Sequence, residues 1–315
     1  RHRLPLRERL VANLPRYAPT AARLSGLLNL RNRSRLLAQA GEKLLGFSAQ
    51  RPLPQWSSKP FREPGASVGK GESGEVVLLV DTFNRYFEPH IVDAAVSVLQ
   101  RTGFKVHFPT ADTTSRPLCC GRTFLSAGLV EKAREEARRS ANALRPYVER
   151  GMKIVGLEPS CLFGLRDEWQ NLIPNTNDIA QQSQLIDEFL AENLDTTLDG
   201  LTWRNDDQRV LVHGHCHQKA FDTFPRTLDL INKVPGMQAE PIQSSCCGMA
   251  GAFGYQAENF DVSQKMGEAD LLPAVRKAGA DTVIVANGTS CRQQIRDGAQ
   301  RSAQHVIELI DQQIL

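Results

Sequence analysis

Residues 75–81 read EVVLLVD, a short unbroken run of aliphatic side chains between two acids. A strand with one buried face alternates apolar and polar residues, whereas a strand covered on both faces reads as continuous apolar sequence, as in parallel sheets. The run therefore predicts a central parallel strand. Working outward, PHIVDAAVSVLQRTG (89–103) has helical spacing and a terminal glycine, and FKVHFP (104–109) reads as a second strand. SAGLVEKAREEARRSANALRPYVERG (126–151) is a long charged helix, and MKIVGLEPSC (152–161) is a third strand running into a cysteine loop. Strand, helix, strand, helix, strand is the order of an α/β sheet.

The second half has the same texture. QRVLVHGHC (208–216), MQAEPI (237–242) and DTVIVANGTSC (281–291) read as strands leading into cysteine-bearing loops. TFPRTLDLINKV (223–234), NFDVSQKMGEADLLPAVRKAGA (259–280) and the stretch after Cys291 read as helices. Each half contains Cys-Cys-Gly, with 42 positions from Cys119 to Cys161 and 45 from Cys246 to Cys291, so we expect an internal duplication. The expected architecture is two pseudo-symmetric parallel-sheet units, residues 66–200 and 201–315, facing each other across a cysteine-lined cleft.

Before them, residues 1–65 form a basic helical arm. LRERLVANLPRYAP (6–19) is a helix expected to end at its prolines, a second helical stretch follows to Phe47, and RPLPQWSSKPFREP (51–64) is an extended connector. GKGESGE (69–75) has the composition of a flexible hinge. The net charge of +3 conceals an asymmetry: the arm holds thirteen Lys or Arg against three acids, leaving about −7 on the other 250 residues. Such an arm is expected to dock on an acidic neighbour or to be a solvated helical linker. It lacks the interleaved aromatics of a nucleic-acid reader, and no run of eighteen apolar residues predicts a membrane span. No secretory leader is legible in RHRLPLRERL (1–10), and the opening reads as a piece of something longer.

All seven cysteines, Cys119, Cys120, Cys161, Cys216, Cys246, Cys247 and Cys291, follow residue 118. An odd, clustered set points to metal or redox chemistry in a reducing, cytoplasmic compartment rather than to structural disulfides. Ligands of open parallel sheets gather beyond the carboxyl ends of the strands, where these cysteines are expected. Cys216, Cys246, Cys247 and Cys291 would there converge from three strand ends as four soft ligands, suited to zinc or an iron–sulfur cluster and unsuited to Mg(II) or Ca(II). Adjacent thiolates diverge, which suits a cluster of several irons better than one small ion. Gly248, Gly251 and Gly254 allow backbone N–H groups to approach inorganic sulfide. His213, His215 and His217 alternate around Cys216 as donors to such a centre or as loop caps, with His215 and His217 ranked first because they flank the cysteine. Arg166 and Asp167 are expected to pair beneath the Cys161 loop, and Lys219 and Arg292 either offset thiolate charge or face solvent.

The repeated CCG, with EPSCLFGLRDEW (158–169), HGHCHQKAF (213–221), SSCCGMAGAFGY (244–255) and NGTSCRQQI (287–295), resembles the cysteine-rich CCG-domain family. Its members include heterodisulfide reductase B subunits, glycolate oxidase iron–sulfur subunits and the carboxyl-terminal regions of fused FAD and iron–sulfur D-2-hydroxyacid dehydrogenases. The resemblance spans residues 76–300, and more weakly the arm. It implies a duplicated CCG domain, a [4Fe-4S]-type cluster, and electron transfer from a flavin within a D-lactate, D-2-hydroxyglutarate or glycolate dehydrogenase. The implied partners are FAD-binding and ferredoxin-like domains, absent from this sequence; the implied location is cytoplasmic, or peripheral at the inner membrane.

The sequence departs from that family at VDTFNRYFEP (80–89), where Thr82 occupies the place of a cysteine. The first site therefore keeps Cys119, Cys120 and Cys161, to hold a cluster with an oxygen ligand, zinc with Asp81 or a histidine, or nothing. Each final Cys-x-x-Cys pair of the heterodisulfide reductases is here a single cysteine, which weakens the alternative of a cluster-based thiol or disulfide reductase. A zinc-stabilised interaction module is the other alternative.

Overall fold

A computed structural model describes residues 4–111, 116–193, 200–204 and 206–315. The strands are β1 (Ser67–Val68), β2 (Gly74–Leu79), β3 (Phe104–His107), β4 (Lys153–Gly156), β5 (Ser183–Leu185), β6 (Gln208–His213), β7 (Met237–Pro241) and β8 (Val283–Ala286). They form a five-stranded sheet ordered β1-β3-β2-β4-β5 and a three-stranded sheet ordered β7-β6-β8. All pairings are parallel except the edge strand β1, which runs antiparallel to β3. Each sheet centres its first long strand, β2 or β6, between the next two parallel strands, so both sets of strand ends open toward one side of their sheet.

β2 is buried on both faces, as its continuous apolar run requires. Val76, Leu78 and Val80 enter one core cluster while Val77 and Leu79 enter another with Ile154 and Leu144. The first cluster also contains Val210, Val212 and Val285 of the second sheet and Val306, Ile307 and Ile310 of the helix Val306–Gln313. That helix packs on Pro89–Arg101, whose Ile91, Ala95, Val98 and Leu99 share a helical stripe. The two sheets thus share one apolar core.

The arm departs from its expected pattern. Helix Leu6–Ala12 ends before Pro15, which sits in the first turn of a second helix, Leu14–Arg23, where its missing N–H costs little; Pro19 lies inside that helix. After the short helix Ser25–Leu28, the helix Arg35–Leu45 is capped by Ser34, which accepts from Leu37 N (3.3 Å), and ended by the left-handed Gly46 (φ 73°). The arm then fastens onto both cysteine-bearing loops. Ala12 O accepts from Thr123 Oγ1 (2.9 Å), Arg7 pairs with Glu258 (2.6 Å), and Ser48 N donates to Tyr255 O (2.8 Å). Residues 69–75 form a turn from β1 into β2, closed by Gly74 N to Gly71 O (3.1 Å). Among the described residues, no helix is long and apolar enough to cross a membrane.

Candidate metal centre

Three of the cysteines lie in first helical turns rather than in loops. Cys161 belongs to Pro159–Arg166, Cys216 opens Cys216–Ala220, and Cys291 belongs to Thr289–Ala299. The Cys-Cys-Gly triplets form the intervening loops, and their glycine turns match. Gly121 and Gly248 are both left-handed (φ 86° and 87°), and each donates its N–H to the first cysteine of its own triplet, Cys119 or Cys246, at 3.4 Å. A Cβ on Gly248 would stand 2.4 Å from Ser263 O, and one on Gly121 would stand 2.9 Å from Ala133 O. Only glycine fits either turn.

The structure brings Cys216, Cys246, Cys247 and Cys291 into one continuous set of sulfur contacts: Cys216 with Cys246, Cys246 with Cys247, and Cys247 with Cys291. Cys247 and Cys291 are buried, Cys246 is half-buried, and Cys216 is exposed, so the group opens to solvent along one edge. Contact with Cys216 holds the Cys246 thiol far below its ordinary range, and contact with Cys247 does the same for Cys291. Cys216 and Cys247 are pushed up, by their contacts with Cys246 first and by burial after. Thiols must lose their protons to bind a metal, so metal binding at this group would be pH-dependent.

His213, 1% exposed, stands under this group with a ring nitrogen within 4.8 Å of the Cys247 and Cys291 sulfurs. Its Nδ1 meets Ser244 Oγ at 2.9 Å, while its Nε2 is buried with no hydrogen-bond partner among the protein atoms. The sequence ranked it behind His215 and His217; burial at the end of β6 is the signal that ranking lacked. Four soft sulfurs, two of them within 4.8 Å of a buried ring nitrogen that has no hydrogen-bond partner, form a donor set that fits a thiophilic metal or an iron–sulfur cluster. His215 and His217 flank Cys216, with Nδ1 atoms 3.9 Å and 3.6 Å from its sulfur. Burial, then His215 and Arg122, pull the His217 pKa down to about 4. Gly288 makes room for this wall, since a Cβ there would sit 2.4 Å from the His215 ring and 3.3 Å from the Cys291 sulfur.

The first group is built differently. Cys120 touches both Cys119 and Cys161, and the three line a cavity with Asp81, Thr82, Arg122 and Glu158. Thr82 opens the helix Thr82–Tyr86 behind its cap Asp81, the same place that Cys216 takes behind its cap His215. Burial, then Glu158, pushes Asp81 up to about 6. Contact with Cys120 lowers the Cys161 thiol, but burial with Asp81 and Glu158 outweighs it and leaves the group at about 11.

Nearby charges also differ from expectation. Arg166 pairs with Glu188 (2.8 Å) rather than with its neighbour Asp167, because consecutive helical side chains diverge. Arg292 is 4% exposed, paired with Glu88 (2.6 Å) and donating to Ala286 O and Asn287 O (2.9 and 2.8 Å). Lys219 reaches over the second group to Ser244 O.

Comparison with known proteins agrees with this geometry. Residues 210–296 match the CCG cysteine-rich domain. The chain is 28% identical over 273 residues to a subunit of the anaerobic glycerol-3-phosphate dehydrogenase of Escherichia coli (strain K12), covering 85% of this chain and 67% of that one. It is 25% identical over 331 residues to the D-2-hydroxyglutarate dehydrogenase of the same organism, covering 98% of this chain but 31% of that protein. Lactate utilization protein A of Macrococcus caseolyticus (strain JCSC5402) is 25% identical over 250 residues, 72% of this chain and 92% of that one. The chain therefore spans about a third of the D-2-hydroxyglutarate dehydrogenase it matches. Cys216, Cys246, Cys247 and Cys291 all fall within residues 210–296, the stretch similar to that domain.

Proposed function

We propose that this chain is the iron–sulfur electron-transfer part of a dehydrogenase that oxidises a 2-hydroxy acid of the D-lactate, D-2-hydroxyglutarate or glycolate class. The observation that carries the reading is the convergence of four thiols from three strand ends on one point, with one edge open to solvent. Cys216, Cys246, Cys247 and Cys291 would hold a [4Fe-4S]-type cluster, with Gly248, His215 and His217 lining it. When bound, such a cluster supplies one-electron transfer at a potential set by its hydrogen bonds and exposure. The chain's own residues fix the sulfurs, keep Cys247 and Cys291 from water and present Cys216 to a partner. FAD, in a portion of the enzyme outside this sequence, would deliver the electrons, and a cytoplasmic location suits reduced thiols.

Anaerobic iron and sulfide analysis of the reconstituted protein beside Cys247→Ser tests the assignment. Iron and sulfide in the wild type and a sharp fall in the variant are expected; equal contents in both would remove the second site from the reading. The alternative of zinc is kept for the first group, because Asp81 and Glu158 add hard oxygen to three thiols there. Stoichiometric zinc that Cys161→Ser abolishes is the expected sign.

The arm is the surface we assign to the dehydrogenase portion. Seven of the exposed large apolar residues are leucines between positions 24 and 44, including Leu27 (65%), Leu36 (78%) and Leu44 (79%). They sit on the basic arm, whose Ala12 and Ser48 hydrogen-bond Thr123 and Tyr255 beside the two Cys-Cys-Gly loops, so we assign an acidic, apolar partner face to this surface. Residues 24–44 should exchange amide hydrogens more slowly in the assembled enzyme than in this chain alone; equal exchange would place the partner elsewhere.

A further inference from the structure

One side-chain relay joins the two cysteine groups. Arg122 stands two residues after Cys120, and its guanidinium is pinned by Glu168 (2.6 Å) and by Ser160 O, which accepts from Nε (3.1 Å). Its Nη2 lies 3.2 Å from Nε2 of His217. The other nitrogen of that ring, Nδ1, lies 3.6 Å from the sulfur of Cys216. The ring is stacked against His215 (centroids 5.1 Å apart) and parallel to Phe163 (7° between planes), which fixes the plane in which both nitrogens point.

A guanidinium offers donors and no acceptor. The nitrogen facing it must present a lone pair, because an N–H there would set donor against donor. A neutral imidazole with a bare Nε2 carries its proton on Nδ1. We propose that Arg122 locks His217 in the Nδ1–H tautomer, so that His217 is a positioning residue donating an N–H···S hydrogen bond to Cys216. His215 cannot share that role, because its Nδ1 accepts from His217 N (3.2 Å), which leaves its proton on Nε2. Of the two histidines flanking Cys216, one donates to the sulfur and the other braces its backbone.

The consequence for redox chemistry rests on the iron–sulfur reading given above. A hydrogen bond to a ligand sulfur withdraws electron density and raises the potential of the centre it holds. Arg122 opens the helix that follows the first Cys-Cys-Gly loop, so the first group tunes the second through one arginine and one imidazole. No atom or electron is transferred in this lock; it only decides which ring nitrogen bears the proton.

Long-range 1H–15N correlation spectra of the metal-free, reduced protein with labelled histidine read the tautomer directly, His217 being identified by the signals that vanish in His217→Gln. The wild type should show Nδ1–H, and folded Arg122→Met should move toward Nε2–H. An Nε2–H tautomer in the wild type, or one unchanged in Arg122→Met, overturns the lock, and the wild-type spectrum decides even if the variant unfolds. In the reconstituted protein, Arg122→Met should titrate at a more negative midpoint potential than the wild type; equal potentials overturn the tuning. Absence of iron and sulfide from the wild type would instead defeat the cluster reading and leave the spectra to decide the lock, so the two failures are distinct.

Discussion

The two Cys-Cys-Gly loops share a glycine turn and differ in chemistry. Each glycine is left-handed, each returns its N–H to the first cysteine of its triplet at 3.4 Å, and each is followed by a helix pressed close against it. The helix that begins at the preceding strand end opens with Cys216 in one case and with Thr82 in the other. The helix that carries the last cysteine of each group is capped by Gly288 before Cys291 and by the buried Glu158 before Cys161. Three exchanges between the two groups, Thr82 for Cys216, Asp81 for His215 and Glu158 for Gly288, thus turn an all-sulfur donor set into three thiols beside buried carboxylates. The frame sets where donors stand; the residue types at the helix starts set which metals they suit.

The strongest way to break this contrast is to remove a buried sulfur. Cys247→Ser should abolish cluster binding at the second group while leaving any metal at Cys119, Cys120 and Cys161 in place, read as iron, sulfide and zinc per chain. Loss of metal from both groups at once would show that they do not act as separate sites.

The next test strikes the shared frame. Gly248→Ala forces a left-handed alanine and drives its Cβ to 2.4 Å from Ser263 O, so we expect a loss of about 3 kcal/mol or more in a denaturant melt. Gly121→Ala meets Ala133 O at 2.9 Å and should cost less. The reverse order would mean that the two turns are not held by the same contacts.

How far the sequence reveals this frame depends on burial. β2, β4, β6 and β8 were legible because both of their faces are covered and their apolar runs are unbroken. β1 and β5, spelled SV and SQL, carry no such run and are recruited to the sheet by their neighbours. The helix starts at Cys161, Cys216 and Cys291 read as loops, because Cys216–Ala220 is too short to show a 3.6-residue period and the other two follow a proline and a glycine. The convergence of Cys216, Cys246, Cys247 and Cys291 could be argued from strand order alone. The Arg122 to His217 contact could not, since 95 residues separate its ends.

A third prediction concerns the joint between the halves. Asp187 is fully buried, and its Oδ2 accepts from Gln218 Nε2, Asn287 Nδ2 and Thr227 Oγ1, so it ties the first sheet's helix to the loops around Cys216 and Cys291. Burial raises its pKa to about 6, above the ordinary 3.8. Between those values the folded state binds the proton that the unfolded chain has released, so this group's contribution is full below pH 4 and fades as pH rises through 6. Asp187→Asn removes that dependence. Relative to the wild type, the variant should gain stability across this window, by up to about 3 kcal/mol in pH-resolved denaturant melts. A constant difference at all pH values would mean that Asp187 stays charged when buried.

The smallest effect expected is a gain. Thr82→Cys places a thiol at the helix start that corresponds to Cys216, in the cavity already lined by Cys119, Cys120 and Cys161. If donor type alone separates the two groups, a fourth sulfur should tighten thiophilic metal at the first group by about 10-fold to 100-fold, the scale on which neighbouring donors tune such sites. Zinc competition with a chelator, measured in a Cys247→Ser background to silence the second group, reads this directly. An unchanged affinity would move the cause from Thr82 to the carboxylates. Asp81 already accepts from Phe83 N (2.9 Å) and Asn84 N (3.0 Å) as the cap of its helix, and Glu158 accepts from Thr289 N (2.9 Å) across the shared core. Those bonds hold two oxygens in place whatever residue 82 is, and the frame would then fix the donor set as firmly as it fixes the turn.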